Sequence, residues 1–568
     1  MLGGTSNLYH AGIALFFMDI KSAIEEINID VESIAEPTLK IVIARLLNII
    51  ELQAVEIKQL REESQRLRDE NSRLKGEQGK PDIRKQTQGN QSFSSEKERN
   101  RKKKKKKKKL AKKNRISANR IEVCKIDKEQ LPHDAIFKGY HSVVVQDLII
   151  KPDNVEFKKA VYYSPSLKQT FVAPLPAGYQ GTFGPTIKVL VLDMHYTSHA
   201  TESAIHRFLQ NHGIIISTAT ISRMITDGHD DFHQEKKAIV QAGLTSTTHQ
   251  QMDDTGARVS GRNYYTHILC NPFYTAYFTR PGKDRLTIIE ILTQGKMTFA
   301  FNELSYALME QMHLSGKSLA VLRQRNLKEM MGRQEVDLLL SELFPDPKKY
   351  QTSRRIILEA SAIIAYQQLP HAISVLLTDD APQFKQITQE LALCWIHDGR
   401  HYKKLTPVIY SHRLQLESFL DKYWDFYHKL LDYKQAPTVM QALALTDEFD
   451  AIFSTKTGYD ALDERIEKTK MKKDSLLLVL KYPQIPLHNN ASELGARTQA
   501  RYRDISFHTI NQKGTQSHDT FMTLVETAKK LAVNSFHYLY DRISKKFEMT
   551  SLASLIIAKE KDLALNST

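Results

Sequence analysis

The chain is short of cysteine. Its 568 residues carry three, Cys124, Cys270 and Cys394, widely separated. Spacing of that kind excludes a disulfide framework and fits a reducing compartment. Also missing is any apolar run near the roughly 20 residues of a membrane-spanning helix. The apolar segment 11–18 has no basic flank, so it does not read as a secretory signal. No Ser-His-Asp arrangement stands out as a nucleophilic triad. A cytoplasmic protein without membrane contact is the expectation.

Positive charge is abundant but local. The formal net charge is +15. Fourteen Lys/Arg and one Glu fall between Lys97 and Arg115, which leaves the rest of the chain nearly balanced. Like charges packed this densely repel, so the run is not a compact element. Lys102, Lys105 and Lys109 mark it as a strip for DNA phosphates, a salt-sensitive attachment; a solvated localisation tract is the plainer alternative.

At this length several domains are expected. Residues 1–38 form an N-terminal segment. Heptads run over 39–75, with Ile43, Ile50, Ile57, Ser64 and Asn71 at a and Leu46, Gln53, Leu60, Leu67 and Leu74 at d. This reads as a coiled coil and a route to homo-oligomers, against a single helix packed on the body. Residues 76–118 are a linker, read as disordered, that contains the basic run. Residues 119–177 are a small β module, with strands expected at 121–126, 141–150, 157–163 and 170–173. Only Cys124 lies here, so thiolates cannot build a zinc site in it.

Residues 178–245 hold two helices about Gly213, with Ser217 as an N-cap. The spacing fits a helix-turn-helix, with Thr220 and Arg223 on the reading helix, although helical hairpins also fill cores. From 246 to 545 the pattern is α/β. It opens with a meander over 251–259, 264–270 and 273–279 around the turn 260–263. Helical stretches follow at about 296–370 and 408–480. Residues 546–568 are a tail.

Three acidic stretches carry the chemistry. An apolar run, Ile373 to Leu377, ends in Asp379 and Asp380, with Pro382 opening what reads as a helix. A carboxylate there needs a hydrogen bond or a cation, and capping the next helix is one outlet. Asp253 and Asp254 lie within the first meander strand. Glu493 follows Asn489 and Asn490 at a helix start, where Asn490 and Glu493 have capping-box spacing. Two Asp and one Glu suffice to hold two Mg²⁺ ions about 3.5–4 Å apart for in-line phosphoryl displacement.

Taken in order, Gln251 to Thr255, Thr378-Asp379, Cys394-Trp395-Ile396-His397 with Arg400, Asn489 to Glu493, and the tail 514–539 with Leu524-Val525-Glu526-Thr527-Ala528 resemble the insertion-sequence-66 family of bacterial transposases. The resemblance covers roughly residues 120 to 540. It implies an RNase H-like catalytic core with helical insertions, and a DDE site made of Asp253, Asp379 and Glu493. Asp254 and Asp380 are adjacent alternatives; strand alternation lets only one of each pair face the metals. It implies two Mg²⁺, with Mn²⁺ as a substitute and no zinc. Substrates would be transposon ends and target DNA, cut and joined at one site; a chemically silent DNA-binding relative and a nuclease that cuts without joining are the alternatives. Cys394, His397, Arg400, Asn489 and Asn490 would support the site, and Arg497 and Arg501 would contact DNA. Three departures stand out. The family's Cys-rich module has lost its thiolates, the 296–370 stretch is long, and Leu494 replaces an Arg.

Overall fold

The computed structural model describes residue 31 and residues 34–74, 118–127, 131–132, 134–179 and 181–565. The linker from 76 to 117, with Lys102, Lys105 and Lys109, lies outside the described residues.

Among the described residues the first α-helix is long, α1 (Pro37–Leu74). A hairpin of β1 (Val161–Ser164) and β2 (Gln169–Val172) follows. This is far less sheet than the sequence suggests for 119–177. Residues 121–126 and 141–150 have β-branched composition but no strand. The reason is burial: Ile121 is 89% exposed and Val145 80% exposed, so no packed face rewards pairing.

Four helices come next: α2 (Pro185–Tyr196), α3 (Glu202–Asn211), α4 (Thr218–Thr226) and α5 (Asp230–Thr245). Thr201 and Ser217 cap α3 and α4 by accepting from Ala204 N and Thr220 N. Gly213 takes φ +79° in the link between them. Ile205, Leu209, Ile221 and Ile225 form the buried faces.

The centre is a five-stranded mixed sheet in the order β5-β4-β3-β8-β9. β3 (His249–Val259), β4 (Arg262–Cys270) and β5 (Thr275–Arg280) are the antiparallel meander. The turn is tighter than 260–263: Ser260 and Gly261, both at positive φ, make a two-residue connection. β8 (Val375–Thr378) then pairs parallel to β3, and β9 (Glu390–Leu393) parallel to β8. All four β8 residues are buried, as a strand covered on both faces requires.

Between β5 and β8 lie α6 (Arg285–Leu292), α7 (Glu303–Gln311), α8 (Gly316–Arg323), α9 (Arg333–Leu343) and α10 (Gln351–Gln367). A small pair, β6 (Thr298–Ala300) with β7 (Met330–Gly332), interrupts the helices expected there. After β8 the expected helix is only a 3₁₀ turn, Pro382–Phe384, because Lys385 is already extended. β9 ends at Leu393, and α11 (Trp395–Tyr402) begins.

A second core is helical: α12 (Tyr410–Tyr433), α13 (Val439–Phe453), α14 (Asp460–Lys470), α15 (Lys473–Leu476) and α16 (Leu478–Lys481). Its centre is aromatic. Trp395, Tyr423, Phe426, Phe449 and Phe453 pack together. The Trp395 indole N–H donates to Leu476 O at 2.9 Å, and Tyr423 Oη donates to Trp395 O at 2.9 Å. The chain closes with α17 (Asn490–Ser506), α18 (Gln512–Lys530), α19 (Ser535–Ile543) and α20 (Leu552–Leu565). None of the helices among the described residues is long and apolar enough to cross a membrane.

Helix α18 covers the open edge of the sheet with side chains four residues apart. Thr279 N donates to Asp519 Oδ2 at 2.7 Å, Tyr277 N to Thr523 Oγ1 at 3.1 Å, and Thr275 N to Thr527 Oγ1 at 3.3 Å. These are the edge N–H groups of β5 that a sixth strand would otherwise pair.

Buried imidazoles set the acid limit of the fold. Burial pushes His195, His229 and His249 down to about 4 and His518 to about 3. Each stays neutral in the fold, whereas the unfolded ring binds a proton near its ordinary value. Their contribution is complete above about pH 6.5 and is lost as pH falls toward about 4. His249 offers the cleanest check, since both ring nitrogens are buried without a hydrogen bond among the described residues. His249→Leu is expected to keep or raise stability near neutral pH and to give a shallower fall on acidification. Urea midpoints across that range measure it; an unchanged slope rules the assignment out.

Candidate active site

The parallel ladder between β3 and β8 sets the site. His249 pairs with Val375, Gln250 with Leu376 and Gln251 with Leu377. The ladder ends at Gln251 with Leu377; Asp253 lies two residues further along β3, and Asp379 directly follows the last residue of β8. Carried on past the ladder, the same phase would bring the two carboxylates to one side. Asp379 sits just past the carboxyl end of β8, where strand edges of α/β sheets open to ligands.

Helix α17 brings the third acid. It lies across β3 and β4. Gly495 permits the approach: a Cβ there would be 2.8 Å from Ile268 Cγ2. Ile268 is the direct cross-strand partner of Asp253. Glu493 lies in the first turn of α17, and its charge is felt at Asp253.

Electrostatics report the gathering. Burial first, then the fields of Asp379, Asp254 and Glu493, push the Asp253 carboxyl up to about 7, partly offset by the Asp254 N–H that it accepts at 2.8 Å. Burial also raises Asp379, against the Ala381 N–H donated to it at 3.1 Å and the field of His397. Like charges forced together in a half-buried pocket favour protonation of one of them. A divalent cation would relieve the same repulsion, and carboxylate oxygens are the donors that Mg²⁺ and Mn²⁺ prefer; among the described residues, however, the group that brings three ligand atoms within 4.8 Å of one another is Cys394, His397 and Glu493, not these three acids.

The neighbouring acids are occupied elsewhere. Asp380 binds Lys472 at 2.7 Å and Lys385 at 3.1 Å. Burial opposes its ionisation, but those two ammonium groups outweigh burial and hold it below its ordinary value. Asp254 accepts from Gln383 Nε2 at 2.7 Å and faces Lys283 at 3.6 Å.

Glu493 is held by three basic side chains. Arg400 Nη2 donates at 3.2 Å, Arg497 Nη2 at 3.4 Å, and His397 Nδ1 lies 3.6 Å away. The capping box read from Asn490 and Glu493 does not form. Asn489 occupies the N-cap without a side-chain cap bond, and the Asn490 N–H donates to His488 Nδ1 at 3.3 Å. With cations this near, Glu493 turns from the helix N-terminus to the pocket.

Cys394, His397 and Glu493 place ligand atoms within 4.8 Å of one another. Their protonation is that of a hydrogen-bonded cluster. Burial pushes the Cys394 thiol up to about 12, although the N–H groups of Asn489, His397 and Ile396 face it. Arg400 Nη1 is 3.1 Å from His397 Nε2. A guanidinium only donates, so Nε2 accepts and the neutral ring carries its proton on Nδ1, toward Glu493. Asn489 is fully buried beside this ring.

The remaining residues lie apart from the pocket. Thr220 and Arg223 sit on α4, where Arg223 is exposed and its Nη2 lies 3.4 Å from Thr220 Oγ1. Arg501 is exposed further along α17. Sequence reasoning missed Gly495, whose role depends on a cross-strand neighbour, and Lys472, which singles out Asp379 by engaging Asp380.

A family model described as the transposase IS66 family matches residues 180–301. The matched stretch includes Asp253 and stops before Asp379 and Glu493. The chain is also 31% identical over 325 residues to the uncharacterized protein y4jO of Sinorhizobium fredii, a stretch that covers 56% of this chain and all of that protein.

The raised Asp253 carboxyl has a thermodynamic sign. The fold binds its proton more tightly than the unfolded chain, so stability falls as pH rises from about 4 through about 7. Asp253→Asn removes the penalty. Without divalent cations, its melting temperature is expected to exceed the parent's by several degrees near pH 8, with the gap closing near pH 4. Equal melting curves near pH 8 would remove the claim that repulsion is concentrated on Asp253.

Proposed function

Because the chain belongs to the IS66 family of transposases, we propose that it cuts transposon ends and joins their 3′-OH groups to target DNA at one DDE site, Asp253, Asp379 and Glu493. The observation that carries this reading is the placement of Asp253 on β3, Asp379 directly after its parallel neighbour β8, and Glu493 in the first turn of α17, which packs on β3. The order β5-β4-β3-β8-β9, three antiparallel strands followed by two parallel ones, supports an RNase H-like core.

Two Mg²⁺ ions, or Mn²⁺, would stabilise charge at the phosphate and activate the attacking hydroxyl. Asp253 from β3 and Asp379 from the end of β8 would hold them, with Glu493 of α17 as the third carboxylate. Arg400 and His397 fix the Glu493 carboxylate. Arg497, 55% exposed, is placed to meet a phosphate oxygen. No protein nucleophile takes part, since both cutting and joining are in-line displacements by oxygen.

DNA recognition is assigned to the surroundings. The pair α3–α4 serves as a helix-turn-helix, with Thr220 and Arg223 toward the groove. Lys102, Lys105 and Lys109 attach phosphates without reading sequence, and Arg501 extends that contact beside the site. Residues 39–75 self-associate as a coiled coil so that two ends are handled together. The working place is the bacterial nucleoid.

The test uses labelled duplexes with the element's ends, a target plasmid and Mg²⁺. The parent is expected to give cut and joined products, and Asp253→Ala, Asp379→Ala and Glu493→Ala are each expected to give none. Cut but unjoined products would identify a nuclease; binding without Mg²⁺-dependent products would identify a silent DNA-binding protein. A second measurement probes the helix approach. Gly495→Ala forces α17 off Ile268, and misplacement of about 1 Å can cost about 10²-fold in rate. Adding Ile268→Ala makes room and is expected to restore most of that loss. No rescue would exclude Gly495 as the determinant of Glu493 position.

A further inference from the structure

The link between α17 and α18 holds an aromatic side chain in water on a strained backbone. Phe507 ends α17 at φ +59° and ψ −60°, and the His508 N–H donates to Ser506 O at 2.7 Å. A three-residue ring with positive φ at its centre is a γ-turn of the rare, strained kind. Glycine adopts it freely, whereas a bulky residue there is an outlier. No burial offsets the strain: Phe507 is 72% exposed, and Ile510 of the same link is 76% exposed.

The link is nonetheless held fast by its neighbours. Thr509 bridges to Val259 at the tip of the β3–β4 hairpin, where Ser260 N donates to Thr509 O at 2.9 Å and Thr509 N to Arg258 O at 3.3 Å. Asn511 caps α18 by accepting from Gly514 N at 2.8 Å, and Thr509 Oγ1 lies 2.7 Å from Thr515 Oγ1. Arg503 Nη1 donates to Gly256 O, which ties the last turn of α17 to β3. Strain persists where the surroundings over-determine it, and such positions collect at ligand contacts. An exposed ring already held still loses little freedom on binding.

The surroundings point to the ligand. Arg258 and Arg262 of the hairpin and Arg501 of α17 are exposed, and none of the three has an acidic partner among the described residues. Asp504, on the last turn of α17, is exposed and leaves the patch positive. An aromatic ring among free guanidinium groups suits single-stranded nucleic acid, whose bases stack on the ring while its phosphates meet the cations. Placement agrees. α17 runs from Glu493 past exposed Arg497 and Arg501 to this link, about 20 Å at 1.5 Å per residue, the length of about six stacked nucleotides. At the start of α18, Lys513 pairs with Asp227 at 2.9 Å and Ser517 Oγ donates to Thr226 O at 3.3 Å, at the end of α4. The link thus connects the surface of α4 to the acidic pocket.

We propose that Phe507, with Ile510, is a stacking platform for an unpaired base of the DNA substrate, and that Arg258, Arg262 and Arg501 hold the adjoining phosphates. This rests on the transposase reading and adds to it a demand for locally opened DNA. A base inside the duplex has no free face to offer the ring, and unpaired bases reach it at the least cost.

The test uses the full chain without divalent cations, so that binding is read apart from chemistry. The probe is a duplex with a short single-stranded thymine tail carrying 2-aminopurine at the junction, a base whose fluorescence falls on stacking. The parent is expected to quench the probe and to bind it about tenfold or more tightly than the blunt duplex of the same sequence. Phe507→Ala is expected to lose that advantage and the quenching, with blunt-duplex binding unchanged, and Phe507→Trp to keep both. Phe507→Gly relaxes the turn. It is expected to melt no lower than the parent and yet to lose the tailed duplex as Phe507→Ala does, which separates contact from folding. An unquenched probe with the parent, parent-like binding by Phe507→Gly, or variants that alter oligomeric state in place of DNA affinity would each overturn the proposal. Cut and joined products from a parent that leaves the probe unquenched would overturn it while the transposase reading stands. Quenching through Phe507 without any such products would support the base contact and count against transposition.

Discussion

The parallel pairing of β3 with β8 is the constraint on which the rest depends. It joins two segments far apart in the chain, and its register brings the Asp253 stretch of β3 to the end of β8, where Asp379 follows. A slip of one residue would turn one carboxylate to the opposite face. Both strands are deeply buried where they pair. Burial is the first cause of the raised Asp253 and Asp379 carboxyls, and the field of Asp379 adds to it at Asp253.

The structure absorbs that repulsion by distributing cations around the pocket. Lys472 and Lys385 neutralise Asp380, Lys283 faces Asp254, and Arg400 with Arg497 holds Glu493. Each of these basic groups is tied to an acid outside the Asp253–Asp379 pair. The two cores meet here. Trp395 belongs to the aromatic core, its N–H donates to Leu487 O at 3.0 Å, and the next residues carry His397 and Arg400. The helical insertion is therefore part of the wall of the pocket, not a decoration on the sheet.

Two further devices keep the frame rigid. The Asp519–Thr523–Thr527 row on α18 supplies acceptors to the edge of β5, so the sheet ends without a free strand edge at those positions. At the other end of the chain, Glu51 and Asn48 act as capping side chains for helices more than 350 residues downstream in sequence. Capping is usually local; supplied in trans by α1, it also locks α1 in place.

Much of the frame could be read from residue order. Alternation and turn residues located β3, β4 and β5 to within two or three residues, and the apolar run before Asp379 marked β8. Ser217 was legible as a cap because its hydrogen bond is local. Composition failed where tertiary packing decides. The β-branched residues of 121–126 and 141–150 form no strand because they bury nothing, and the residues after Pro382 make one 3₁₀ turn, not a helix. Spacing alone suggested that Glu493 caps its own helix, but contacts with Arg400, Arg497 and His397, distant or on the next turn, orient it instead. By itself the sequence determined which side chains were acidic, which segments were helical or extended, and which face of α1 repeats in heptads, since these are properties of neighbours along the chain. Only the tertiary structure decided that Asp379 and not Asp380 is left for the pocket, that Gly495 lets α17 close on Ile268, and that one flank of α1 is already taken, because each of these depends on what lies across space.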